Sequence, residues 1–404
     1  MTGNQNIVIK ELKDIEGRIN TYTGTKEFLV PRLLNELGGV CLFYFYYGKV
    51  FNDPKSLDKG NILVDHILEG IKISVKYNDY RFSTGTAGLG WLLKFLHKEE
   101  FIDFEVEDAL SDLDEYIYQF AIQEIDRGNY DFLHGAIGAL YYFTEGSNTT
   151  NDYIENITSK IALRTETTIY NKPFWPSFNV SEGKRYDKIL NFGLSHGQPA
   201  IVSVLAKVYE LNSNSELRTL LSDATYAMLD FKFKTTKNSL FPTSTSVAKD
   251  IERNVNRGSR LGWCYGDLGM GISLWNVGTV LQNEDFKSIA LDCINFSASK
   301  RDLSVNSIKD AGVCHGSAGV MYIFNKFSYL NREADYSEAI EYWKNITVEM
   351  LHSEEGKLAT GHCAWHNERG YYNDFGFLQG LSGVGLSLLS LMDADIKWGD
   401  GLLM

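Results

Sequence analysis

Apolar residues recur at spacings of three and four in seven separate stretches, the signature of helices with one buried face. These stretches carry Leu12, Ile15 and Ile19; Val64, Ile67, Ile71 and Val75; Leu110, Leu113, Ile117, Phe120 and Ala121; and Ile154, Ile157 and Ile161. Further along come Leu217, Leu220, Leu221, Ala224 and Met228; Phe286, Ile289, Ala290 and Cys293; and Ile340, Trp343 and Met350. A glycine-marked segment follows each stretch and opens a second run, which is apolar on most faces. Ile201, Val202, Val204, Leu205, Ala206 and Val208 are one example. A helix that is hydrophobic nearly all round is a buried helix. The pattern therefore predicts pairs made of an amphipathic outer helix and a buried inner one.

The glycine segments fit G-x-x-G at Gly85–Gly88, Gly135–Gly138, Gly266–Gly269, Gly316–Gly319 and Gly380–Gly383. Gly197 to Ala200 is a variant ending in alanine, and Leu37-Gly38-Gly39-Val40 is a degenerate first copy. Their first glycines fall at 85, 135, 197, 266, 316 and 380. Self-similarity at such a period marks a repeat architecture. Seven pairs predict two concentric rings, an all-α toroid, within one domain over residues 1–404. Glycine at each inner start allows close backbone approach and leaves the first N–H groups free to face a cavity. Two intervals, about 164–190 and about 231–260, lack helical period and alternate instead. They are expected to form short strands or lid loops in a small β-rich extension.

Composition narrows the function. An apolar fraction of 44% with 23% charged residues belongs to a globular chain. The net charge of −13 comes without any basic cluster, which argues against nucleic acid or an anionic membrane as partner. The first residues lack the basic start and apolar run of a signal peptide. No window reaches the ~18 apolar residues of a membrane span. Five cysteines, an odd count spread far apart, fit reduced thiols in the cytoplasm.

Chemistry-bearing residues collect at one offset. The two positions before each first glycine read Ser83-Thr84, Leu133-His134, Ser195-His196, Cys264-Tyr265, Cys314-His315 and Leu378-Gln379. If each glycine opens an inner helix, these side chains ring one mouth of the cavity. Cys264, Cys314 and His315 make a Cys₂His set for one zinc ion with a fourth position open. The competing reading is two buried apolar cysteines. His196 stands at the offset of His315 as an acid/base candidate. Asp131 is a candidate to orient it, and Arg260 to stabilise an anionic intermediate; both also read as structural ion pairs. His134 faces the same mouth. His362, Cys363 and His366 form a second Cys/His cluster without the glycine offset, and are read as a loop near the site.

With W-C-x-G at Trp263 to Gly266, C-H-G at Cys314 to Gly316 and S-H-G at Ser195 to Gly197, the chain resembles the lanthionine synthetase C family. The match is to its free-standing lanthipeptide cyclases. The resemblance implies an α/α toroid with a small β-rich extension and one zinc held by Cys264, Cys314 and His315. It implies catalytic roles for His196, Asp131, Arg260, Trp263 and Tyr265, with His134 standing where some relatives carry glutamate. The implied substrate is a dehydrated precursor peptide, whose cysteine thiols add to dehydroalanine or dehydrobutyrine. A dehydratase and an exporter are implied partners, which would hold the enzyme at the inner face of the membrane. Two rivals remain at this point: a relative that adds glutathione to dehydroamino acids, and a non-catalytic peptide-binding scaffold. A toroidal glycosidase would need paired carboxylates at the mouth, where this chain offers Cys and His.

Overall fold

The computed structural model describes the chain apart from residues 1–2, 26–28, 146–150, 182–183, 235–237, 247–257, 354–361, 367, 369 and 394. Among the described residues, outer and inner helices alternate in seven pairs. They are α1 (Gly3–Gly24) with α2 (Glu36–Phe51), α3 (Pro54–Lys76) with α4 (Thr86–Lys98), and α5 (Val106–Asp126) with α6 (Ala136–Thr144). Next come α7 (Asn151–Ala162) with α8 (Gln198–Leu211) and α9 (Ser215–Leu229) with α10 (Asp267–Leu281). The last are α11 (Glu284–Ala298) with α12 (Ser317–Leu330) and α13 (Ser337–His352) with α14 (Leu381–Leu389). The periodic residues point inward as expected: Leu12, Ile15, Ile19, Ile67, Ile117, Ile157, Leu221, Ala290 and Trp343 are all buried. The inner helices bury nearly every side chain, and in α6 and α14 every one. No helix is long and apolar enough to cross a membrane.

The two kinds of helix start differently. Among the described residues, three outer helices use side-chain caps: Asp53 accepts from the amide of Lys55 at 3.2 Å, Asn214 from those of Glu216 and Leu217 at 2.8 and 3.1 Å, and Asn283 from Phe286 at 3.1 Å. Six of the seven inner helices begin at glycines with no side-chain cap, and α2 begins after Asn35, also without one. Their first amides do not all face the cavity, contrary to the expectation above. Those of Thr86, Ala136 and Ser317 bond back to the carbonyls of Asp79, Asn129 and Asp310 at 2.9–3.1 Å. Backbone groups leaving water need partners, and a tight turn supplies them here.

The ring is stitched by one repeated bond. Two residues before each motif's first position stand Leu34, Ser83, Leu133, Ser195, Cys264, Cys314 and Leu378. The N–H of Leu34 donates to the carbonyl of Ser83 at 3.3 Å, and that of Ser83 to Leu133 at 2.9 Å. Ser195 donates to Cys264 at 3.5 Å, Cys264 to Cys314 at 3.2 Å and Cys314 to Leu378 at 2.9 Å. Leu378 then donates to Leu34 at 3.1 Å and closes the circle. Among the described residues only the rung from Leu133 to Ser195 is missing.

Strands occupy the expected insertions and one further place. β1 (Glu166–Thr167) pairs antiparallel with β2 (Pro173–Phe174). β3 (Ser177–Ser181), β4 (Lys184–Asn191) and β5 (Ser244–Ser246) form an antiparallel sheet with β4 central. The segment around His362, Cys363 and His366 is not a loop. It is a strand, β6 (His362–His366), in a hairpin with β7 (Gly370–Asp374). The side chains of His362 and Cys363 lie outside the described residues, as does much of the segment expected at 231–260.

Closure can be tested at Gly39. A Cβ built there would lie 2.5 Å from the amide of Phe377 and the hydroxyl of Ser382, both in the last repeat. Gly39→Val should therefore wedge first and last repeats apart and cost about 1–3 kcal/mol. Denaturant unfolding reads this as a lower midpoint.

Candidate metal centre

Each site residue is placed by the turn that precedes an inner helix. Six residues before the first glycine, Asp79, Asn129, Asn191, Asp310 and Asp374 each accept the amide two residues on, at 2.7–3.3 Å. These Asx turns aim the next residues at the mouth. The fifth motif breaks the rule, with Arg260 in that place. Its turn is made instead by Gly266 at φ +127°, where an added Cβ would meet the Arg260 carbonyl. The Asx series stands in the sequence at a constant offset, six residues before each of the other first glycines.

Cys264, Cys314 and His315 come together, their ligand atoms all within 4.8 Å of one another. Cys264 Sγ lies 4.0 Å from His315 Nδ1. Donors around a tetrahedral zinc, ~2.3 Å away for sulfur and ~2.0 Å for nitrogen, sit roughly 3.5–3.8 Å apart. A small side-chain adjustment therefore reaches that geometry. Both thiols are buried and His315 is half-buried. The hydrogen bond from Cys314 pushes the Cys264 thiol well down, with His315 and Arg260 helping. The same hydrogen bond, then burial, pushes Cys314 well up. One shared hydrogen bond thus pushes the two thiols in opposite directions. A dication would take both as thiolates. Two thiolates and one imidazole are a donor set that suits zinc.

Beside this cluster His196 Nδ1 lies 2.7 Å from Asp131 Oδ2. Asp131 Oδ1 accepts the amides of Leu133 and His134 at 2.7 and 2.8 Å, so both carboxylate oxygens are engaged. Burial would lower the affinity of His196 for its proton, but the Asp131 hydrogen bond and charge outweigh it and hold the imidazole above its ordinary value. Burial likewise opposes ionisation of Asp131, and the His196 hydrogen bond and charge overcome it and hold the carboxyl below the usual range. The His134 ring stacks on His196 at 5.7 Å between centroids, with Nδ1 at 2.9 Å from the Ser83 hydroxyl. Burial pushes His134 down. Asp131, His134 and His196 also lie within 4.8 Å of one another, but a metal there would have to displace hydrogen bonds already made.

The remaining candidates separate by position. Among the described residues Arg260 has no hydrogen-bonded or ion-pair partner, and its charge acts on Cys264, Cys314 and Tyr265. Tyr265 is half-buried, and its hydroxyl accepts from Asn191 Nδ2 at 3.2 Å. Trp263 is fully buried, and its indole N–H is spent on the Leu402 carbonyl at 2.7 Å. His366 is in the hairpin, where Nδ1 accepts the amide of Glu368 at 3.2 Å.

A double ring of helices with two thiols and an imidazole converging at one mouth defines a class of α/α toroid. The chain matches the model of the lanthionine synthetase C-like proteins over residues 31–403 and belongs to that family. Its fold is similar to that of nisin cyclase, with a TM-score of 0.73 and 20% identity over 100% of this chain and 98% of that one. A cellobiose 2-epimerase from Bacillus thermoamylovorans aligns more loosely, with a TM-score of 0.46 and 9% identity over 95% and 99% of the two chains.

The His196–Asp131 pair makes a pH prediction for the metal-free protein. A raised imidazole contributes stability that is full below its unfolded value and lost as pH rises through the folded one. A depressed carboxyl contributes stability that is full above its unfolded value and lost as pH falls through the folded one. The pair is therefore strongest between about pH 4 and 6.5. Asp131→Asn should destabilise more at pH 6 than at pH 9, and the His196 ring should titrate lower by NMR.

Proposed function

We propose that this chain is a zinc-dependent lanthipeptide cyclase. It closes thioether rings by adding cysteine thiols of a dehydrated precursor peptide to dehydroalanine or dehydrobutyrine. The observation that carries the reading is the convergence of Cys264, Cys314 and His315 beside the His196–Asp131 pair. Membership of the lanthionine synthetase C-like family and likeness to nisin cyclase support it.

Bound zinc would supply a positive centre at which a substrate thiol ionises near neutral pH. The chain's residues handle the rest. The substrate sulfur bonds to the β-carbon, and the alkene electron pair moves toward the α-carbon and its carbonyl. Arg260, whose charge acts on Cys264 and Cys314, would stabilise that developing charge. His196, protonated and held by Asp131, delivers a proton to the α-carbon. The thiol has lost one proton and the α-carbon has gained one, so nothing else is consumed. Tyr265 borders the same space, tethered by Asn191. Residues 1–404 act in this reading as one toroidal domain, with the strands as its extension. A dehydratase supplies the substrate and an exporter removes the product. Reduced thiols at the site fit a cytoplasmic setting, with attachment to the membrane's inner face only through partners.

Metal analysis paired with cyclisation of a dehydrated peptide tests this. Cys314→Ala should lose zinc and ring formation together. His196→Asn should keep zinc and lose about 10²–10⁴-fold in rate. Zinc retained by the first variant, or cyclisation persisting without it, would contradict the assignment. Glutathione adducts in place of rings would transfer the same chemistry to a different thiol.

A further inference from the structure

The segment Trp398–Met404 contains a short 3₁₀ turn, Trp398–Leu402, and is almost entirely buried although it belongs to no helix pair. It lies in the bore among the middles and far ends of the inner helices. Tyr141 of α6 donates its hydroxyl to the Asp400 carbonyl at 2.7 Å. Asn276 of α10 donates to Leu403 at 3.0 Å, and Lys326 of α12 to Met404 at 2.5 Å. The Trp398 indole donates to Leu386 of α14 at 3.1 Å and packs 4.1 Å from the Tyr322 ring. One short stretch thus gathers bonds from four sectors of the ring and fills its centre.

A further carbonyl of the segment connects it to the candidate metal centre. Leu402 accepts the Trp263 indole N–H at 2.7 Å, and Trp263 is wholly buried. Trp263 is bonded directly to Cys264. The two residues also send both their amides to the Cys314 carbonyl, at 3.0 and 3.2 Å. The cysteine loop is therefore held at two points: the neighbouring cysteine's backbone on one side and the bore segment on the other. With either hold released, Cys264 Sγ keeps its chemistry but loses its address.

We propose that Trp398–Met404 is a central plug that positions the metal-binding loop through the Leu402 carbonyl and the Trp263 indole. Trp263 is in this account a positioning residue rather than one that touches substrate. The inference rests on reading Cys264, Cys314 and His315 as a metal centre, and gives that centre a determinant about 140 residues further along the chain. Outer supports of this kind set metal affinity by 10–100-fold in other sites.

The test uses the full chain, stripped of metal and titrated with Zn²⁺ against a chelator and with Co²⁺ by absorption. Trp263→Phe keeps an aromatic ring and deletes only the N–H with part of the volume. Gly399→Ala alters no residue of the centre, but its Cβ would press on the Tyr322 hydroxyl and ring and unseat the plug. Both variants should bind Zn²⁺ about 10–100-fold more weakly and shift the Co²⁺ bands, with helical circular dichroism unchanged. Should Gly399→Ala fail to fold, Trp263→Phe decides alone. Wild-type affinity and an unaltered Co²⁺ spectrum in Trp263→Phe would overturn the plug's role while leaving the metal centre intact. A wild-type protein that takes up neither ion would overturn the centre itself, and the plug's role with it.

Discussion

One amide-to-carbonyl bond, repeated around the mouth, sets the position of everything that could react. The donor and acceptor are always the residue two places before a motif's first position, so equivalent residues become neighbours however far apart they lie in the chain. Cys264 and Cys314 are separated by 50 positions, yet the N–H of one meets the carbonyl of the other at 3.2 Å. Backbone bonds of this kind are short, directional and shielded by the surrounding core. They fix the two Cα positions better than side-chain packing alone. The thiols meet because the ladder leaves them nowhere else to point.

That constraint has an electrostatic consequence. Residues just before an inner helix sit at its positive end, where the helix dipole favours negative charge. Cys264 and Cys314 precede α10 and α12 in this way, and Arg260 adds a full charge nearby. Two thiolates this close repel one another, and a cation between them would relieve that repulsion. The geometry and the charge balance therefore select the same kind of occupant.

Much of this was legible from the amino acids. Spacing of Ile154, Ile157 and Ile161, or of Leu217, Leu221 and Met228, is enough to place an outer helix, because burial of one face obeys a fixed period. The glycine offset is enough to align repeats and to bring Cys264, Cys314 and His315 to one mouth. Other features escaped for physical reasons. His362-Cys363-Ala364-Trp365-His366 gives no period that separates a strand from a loop, and its pairing with Gly370–Asp374 is a tertiary outcome. Trp398-Gly399-Asp400-Gly401-Leu402 has neither a helical nor an alternating pattern. Its burial is imposed by the helices around it, and no local signal announces that. Trp263 illustrates the gap most clearly: the motif that flags it as a site residue says nothing about which way its indole faces.

The missing rung between Leu133 and Ser195 deserves a physical account. The connection that precedes the fourth motif carries four strands between α7 and α8. Where the backbone bond is absent, side chains span the seam instead. Asp131 of the third motif bonds His196 of the fourth at 2.7 Å, and the His134 ring stacks on His196. A backbone rung would hold these loops at a fixed separation, whereas a side-chain bridge tolerates rotation of the imidazole about its own bonds. In the mechanism proposed above, an acid that hands a proton to carbon and is recharged would benefit from that freedom, while ligands that hold an ion would not. The rigid rungs run beneath the thiols and the open one beneath the histidine, so the ladder divides the mouth into a fixed half and an adjustable half.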